Sequence, residues 1–267
     1  MRKAASSLLV LQILLVVTGG LVRLTGSGLG CPTWPKCTTD SYRPVESQPQ
    51  LHAWIEFGNR LLTFALFAAA LITLIAIRKR RDLRIYGWLQ VAGILGQGVL
   101  GGITVLTKLN PIPVAGHMLL SMILIAGATT LYYRIDHPVK NEGPDKSIAR
   151  GLVFVAYLTL IAGTIVTGSG PHAGDWQAPR FHISIVLAAK IHSALVFGTL
   201  ARSLWVAKKY PRSEVNWLLV VIFAQGLIGL IQWWQGLPQY LVALHMLGAA
   251  LFWFTAWRTR LTFRFSK

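Results

Sequence analysis

The chain has 267 residues, 54% of them hydrophobic and only 13% charged, about half the ~25% of a soluble domain. Its 26 Lys and Arg against 9 Asp and Glu give a net charge of +17, held in short clusters between long apolar runs, which excludes a soluble enzyme and argues against nucleic-acid binding. Two cysteines are too few for an iron–sulfur centre or a Cys-rich zinc module, each of which needs about four ligands.

A hydrocarbon core about 30 Å thick takes roughly 20 apolar residues per helix. The sequence offers eight such runs, near 6–24, 53–77, 85–106, 112–133, 149–168, 183–206, 215–235 and 238–257. The first follows Met1-Arg2-Lys3, but its apolar stretch is too long for a signal peptide and no small-residue cleavage site follows, so it is expected to remain as a helix. The expected fold is therefore an all-α integral membrane protein of eight transmembrane helices.

Basic residues set the orientation. Arg2, Lys3, Arg78, Lys79, Arg80, Arg81, Arg84, Arg134, Lys140, Lys146, Arg150, Lys208, Lys209, Arg212, Arg258, Arg260, Arg264 and Lys267 fall on one side, 18 of the 26. The opposite loops hold few, such as Lys36, Arg43, Lys108 and Arg180. By the positive-inside rule both termini are expected to be cytoplasmic.

The two halves resemble each other. Gln97-Gly98-Val99-Leu100-Gly101 pairs with Gln225-Gly226-Leu227-Ile228-Gly229, and His117-Met118-Leu119 with His245-Met246-Leu247, both at an offset of 128. Thr25-Gly26-Ser27-Gly28 likewise pairs with Thr167-Gly168-Ser169-Gly170. Four helices per half make the repeat parallel, and two tandem four-helix bundles, 1–134 and 135–267, are expected. His192 in the sixth span then matches Asn59 in the second, so one half carries a His/His pair and the other Asn/His.

Ionisable residues inside a span are costly and usually functional. His117 and His245 should lie roughly 10 Å below the outer face at ~1.5 Å per residue, with His192 and Asn59 at similar depth. Two imidazoles at one level on neighbouring helices can grip an iron porphyrin, and a bundle interior supplies the apolar slot, so His192 and His245 are expected heme ligands. Zinc is disfavoured, since no third or fourth ligand recurs at that depth. A transporter is disfavoured too, because the glycines fall beside helix ends and in Gln-Gly-x-x-Gly packing motifs rather than breaking paired spans.

The stretch Arg23-Leu24-Thr25-Gly26-Ser27-Gly28-Leu29-Gly30-Cys31-Pro32-x-Trp34-Pro35-x-Cys37, then Ile55-Glu56-x-x-Asn59-Arg60, then the three helical histidines, resembles the heme A synthase family over almost the whole chain. The resemblance implies oxidation of the C8 methyl of heme O to a formyl group, a resident heme b on His192 and His245, and substrate heme on His117 beside Asn59 and Arg60. It also implies a catalytic role for Glu56. Asn59 departs from the family pattern, which has histidine there; this leaves the substrate iron five-coordinate through His117, or ligated by His52 two turns earlier. Arg23, Arg60 and Lys190 are candidate partners of the heme propionates or snorkelling cations. Cys31 and Cys37 lie in an extracytoplasmic loop where a disulfide is expected, either a static staple or, by resemblance, a redox pair. The expected setting is the plasma membrane, with heme O synthase, a terminal oxidase and a second copy of the chain as candidate partners. The alternative is a bis-histidine cytochrome b that only relays electrons.

Overall fold

The structure, a computed structural model, describes residues 1–45, 50–137 and 146–264. Lys140 and Lys267 of the basic set lie outside these residues. Eight helices account for nearly all the regular structure: α1 (Arg2–Leu24), α2 (Gln50–Ala76), α3 (Arg81–Leu106), α4 (Pro111–Asp136), α5 (Lys146–Ser169), α6 (Ile185–Lys209), α7 (Ser213–Trp234) and α8 (Gln239–Arg264). Each contains a stretch long and apolar enough to cross a membrane, and no strand occurs among the described residues.

Several helices outrun their apolar runs because polar residues finish them. α1 starts at Arg2, whose guanidinium pairs with Asp136 at 3.1 Å and lies over the Tyr132 ring. α8 continues past residue 257, with Arg260 stacked on Trp257 at 4.2 Å and Phe263 almost fully buried. α4 also passes the expected boundary at 134 and ends at Asp136. At its start Asn110 caps the helix by accepting from the Ile112 amide at 3.0 Å, with Pro111 in the first turn.

Helix contacts close two rings. α1, α2, α3 and α4 pack in sequence with α4 returning to α1, and α5, α6, α7 and α8 do the same with α8 returning to α5. The rings meet where α1 and α4 contact α8 and where α4 contacts α5. Trp253 crosses this seam by donating to the Met122 carbonyl at 2.6 Å, and Trp257 by donating to Thr130 Oγ1 at 2.7 Å. Across each ring the backbones of α2 and α4 stand apart, as do those of α6 and α8.

The turns after α3 and α7 share one conformation. Lys108 and Leu109 have φ of 52° and 60°, Gly236 and Leu237 75° and 64°, all in the left-handed region. The Leu109 amide donates to the Thr104 carbonyl and the Leu237 amide to the Gln232 carbonyl, both at 2.7 Å.

Packing differs sharply between the two ends of the molecule. The main core, including Leu8, Leu66, Ile94, Ile125, Leu152, Leu218 and Trp253, fills the part nearer the termini. A buried amide chain crosses it, Gln12 donating to Gln90 and Gln90 to the Leu124 carbonyl, both at 2.9 Å. At the other end, residues 57–65 of α2, 112–121 of α4, 189–198 of α6, 223–234 of α7 and 241–249 of α8 include no buried side chain.

Candidate functional site

The intramembrane histidines all lie at that loosely packed end. His117 is six residues beyond Pro111, His245 six beyond Gln239 and His192 seven beyond Ile185, about 10 Å along their helices. Asn59 is nine beyond Gln50, because α2 begins earlier than its apolar run.

Each of these side chains rests over a glycine of the preceding helix. A Cβ built on Gly101 would lie 3.4 Å from His117 Cε1, one on Gly163 3.3 Å from His192 Cε1, and one on Gly229 3.3 Å from His245 Cε1. Gly19 stands in the same relation to Asn59, 3.9 Å from its Nδ2. The glycines give each imidazole room to lie along the neighbouring helix. Gln97 and Gln225 brace the helices behind by donating to the main-chain carbonyls of His117 at 3.0 Å and His245 at 3.1 Å. A Cβ on Gly248 would collide with the Gln225 amide, so that glycine is required by a close approach.

The ring nitrogens suit metal ligation. His192 Nδ1 lies 3.1 Å from the Thr159 carbonyl; as a donor there it leaves the Nε2 lone pair free, the arrangement that commonly orients a metal-bound histidine. The buried Nδ1 atoms of His117 and His245 have no hydrogen-bond partner among the described residues. His192 and His245 stand on α6 and α8, opposite corners of the second ring. Among the described residues no three His, Cys, Asp or Glu side chains gather. Imidazoles with glycine clearance and ring nitrogens left without a side-chain partner fit the donor set an iron porphyrin takes.

Glu56 and Arg60 lie one turn apart on α2, under the loop between α1 and α2. Glu56 is only 6% exposed; its Oε2 accepts from the Cys31 amide at 2.7 Å and its Oε1 from Arg60 at 2.6 Å. Arg60 also donates to the carbonyls of Lys36 at 3.1 Å, Cys31 at 3.0 Å and Thr33 at 3.1 Å. Cys31 and Cys37 form a disulfide, both buried, so one ion pair clamps the whole disulfide loop to α2. Trp34 of that loop lies on Gly102 of α3, reaching across the first ring.

The other sequence candidates sit elsewhere. His52 Nδ1 is 2.8 Å from Ser27 Oγ and belongs to the loop platform. Arg23 donates to the Thr167 carbonyl at 3.0 Å, tying the end of α1 to α5, and Lys190 is exposed. Arg180, beyond the helices, donates to the carbonyls of Gly170, Pro171 and Ala178; burial moves its pKa below the usual arginine value. The glycine beneath each imidazole, the Thr159 carbonyl and the Thr18 hydroxyl, 2.8 Å from Asn59 Oδ1, are site features that sequence reasoning missed. For His117 and His245 the spacing Gln97–Gly101 and Gln225–Gly229 was the available signal; no glutamine stands at that place before Gly163 or Gly19.

Residues 3–174 match the family of cytochrome oxidase assembly proteins. Among curated relatives the chain is similar to the heme A synthase of Lysinibacillus sphaericus, 37% identical over 115 residues, which are 42% of this chain and 37% of that protein. The heme A synthase of Geobacillus thermodenitrificans is 35% identical over 114 residues, 41% of this chain and 35% of the relative. That of Shewanella oneidensis is 31% identical over 188 residues, 65% of this chain and 55% of the relative. The aligned stretches thus span from about a third to just over half the length of these relatives. With the family match covering well over half of its residues, the chain belongs to the heme A synthase family.

Proposed function

We propose that the protein is a heme A synthase, oxidising the C8 methyl of heme O to a formyl group. The observation that carries this reading is the set of three imidazoles at one depth, each cleared by a glycine, at the end of the bundle where the helices leave room. His192 and His245 would hold a resident heme b, which supplies one-electron transfer when bound. His117 would hold the substrate heme in the other ring.

The two rings are read as tandem halves, 1–134 and 135–267 by sequence, with the last turn of α4 carrying the first ring to Asp136. The matched turns after α3 and α7 and the matched Gln97/Gln225 braces support a duplication at the offset of 128. By the basic-residue bias both termini are cytoplasmic and the disulfide loop faces outward from the plasma membrane. Heme O synthase, a terminal oxidase and a second copy of the chain are candidate partners.

Glu56 acts as the catalytic carboxylate in this reading. Arg60 and the Cys31 amide fix its orientation, so it meets the substrate already aligned and without reorganisation cost. With water as the oxygen source, converting methyl to formyl takes up one water and releases four protons and four electrons in two successive two-electron oxidations; the electrons pass to an external acceptor, and a fixed carboxylate at the porphyrin edge can accept protons. Arg60, engaged with Glu56 and three carbonyls, serves this geometry first and a propionate only through what donor capacity is left.

The test is expression in cells that make heme O, followed by pigment extraction and chromatography. Heme A formed only with the intact protein supports the synthase. Bound heme b with no heme A would identify the electron relay instead.

A further inference from the structure

The second ligand position of the N-terminal site is occupied by a carboxamide, and its setting is specific. Asn59 stands over Gly19 as the three imidazoles stand over their glycines. Its Oδ1 is 2.8 Å from the Thr18 hydroxyl. That hydroxyl also has the Leu15 carbonyl in reach at 3.3 Å, and the shorter contact takes the proton. Accepting there turns the amide so that Nδ2, with two hydrogens, is the free end; it donates to no partner among the described residues. Asparagine ends where the near edge of an imidazole would end, one ring-width short of a histidine's Nε2. The α2 and α4 backbones stand apart across the ring, and residues 57–65 of α2 and 112–121 of α4 include no buried side chain.

We infer that Asn59 is a hydrogen-bond donor to a small accepting ligand (water, hydroxide, fluoride or dioxygen) on the open face of a porphyrin held by His117, with Thr18 as the positioning residue that aims the amide. This rests on the reading of the N-terminal half as a heme site. It gives the two halves different ligand chemistry: a closed His192/His245 site for electron transfer, and an open His117 site that admits a small molecule. Thr18 acts through Asn59 and touches no ligand itself.

The experiment uses the purified, heme-loaded full chain and reads spectra rather than turnover. Carbon monoxide added to the reduced protein should shift about half of the Soret absorption, and fluoride added to the oxidised protein should give a high-spin complex of the same fraction. His117→Ala should abolish that fraction. Asn59→His should close the site, converting it to low spin without carbon monoxide binding. Asn59→Leu should keep carbon monoxide binding but weaken fluoride binding about ten-fold or more, the worth of one hydrogen bond to a charged acceptor. Thr18→Val should weaken fluoride binding in the same direction. Two low-spin hemes with no carbon monoxide binding would overturn the open site, and Asn59→Leu binding fluoride as tightly as the parent would overturn the donor role, in both cases leaving the heme reading standing. A protein without pigment even after reconstitution would overturn both.

Discussion

Arg60→Ala should destabilise the protein more than Glu56→Gln, although the two residues form one ion pair. The Glu56 side chain is 7% exposed and that of Arg60 20%, so the pair is largely withdrawn from solvent. Removing Arg60 leaves a buried carboxylate with a single remaining donor, the Cys31 amide, and also frees the carbonyls of Cys31, Thr33 and Lys36. Breaking a buried pair in this way costs about 3–5 kcal/mol, and the residual exposure of Arg60 puts this case near 3. Glu56→Gln keeps an acceptor for Arg60 and leaves the guanidinium its three carbonyls, so a cost of about 1 kcal/mol is expected. The double variant should cost less than the sum, because the two residues share one interaction. Denaturant unfolding of the detergent-solubilised protein, followed by its ten tryptophans, measures all three. Equal losses for the two single variants, or a larger loss for Glu56→Gln, would refute the clamp.

Glu56→Gln should retain bound heme b and stop heme A formation, as read by pigment extraction; undiminished heme A would remove the carboxylate from the chemistry. Gly248→Ala should displace the Gln225 amide and lower heme content in the C-terminal half, whereas Gly226→Ala, with open space around its added Cβ, should leave the Soret absorption intact. Replacing Cys31 and Cys37 together by alanine opens a loop of sequence separation 6 and should lower unfolding stability by about 2 kcal/mol. His192→Ala should remove the low-spin heme signal, while His182→Ala, at an exposed loop position, should not.

Much of this architecture is legible in the sequence because lipid imposes a simple rule on length and polarity. The eight spans follow from apolar runs, and the three helical histidines from the expense of placing an imidazole there. The helix ends are not legible in this way. Arg2 and Arg260 extend α1 and α8 through an ion pair and a ring contact that hydropathy does not register. The loop of residues 25–45 has no periodicity to read, so the clamp formed by Glu56, Arg60 and the Cys31 amide appears only in three dimensions. Gly101 and Gly229 read as helix-packing glycines until the imidazoles are placed over them, and Gly163 carries no motif at all. Asn59 is visible as a departure from the family pattern, but the Thr18 contact that orients it joins residues 41 positions apart.

The uneven packing along the bundle has a consequence for assembly. The buried seam of Leu152, Ile125 and Trp253 is built without any of the three histidines, so the scaffold's packing does not depend on what those imidazoles hold. On the proposed heme reading, cells starved of iron should accumulate an intact colourless apoprotein that gains absorption when supply returns.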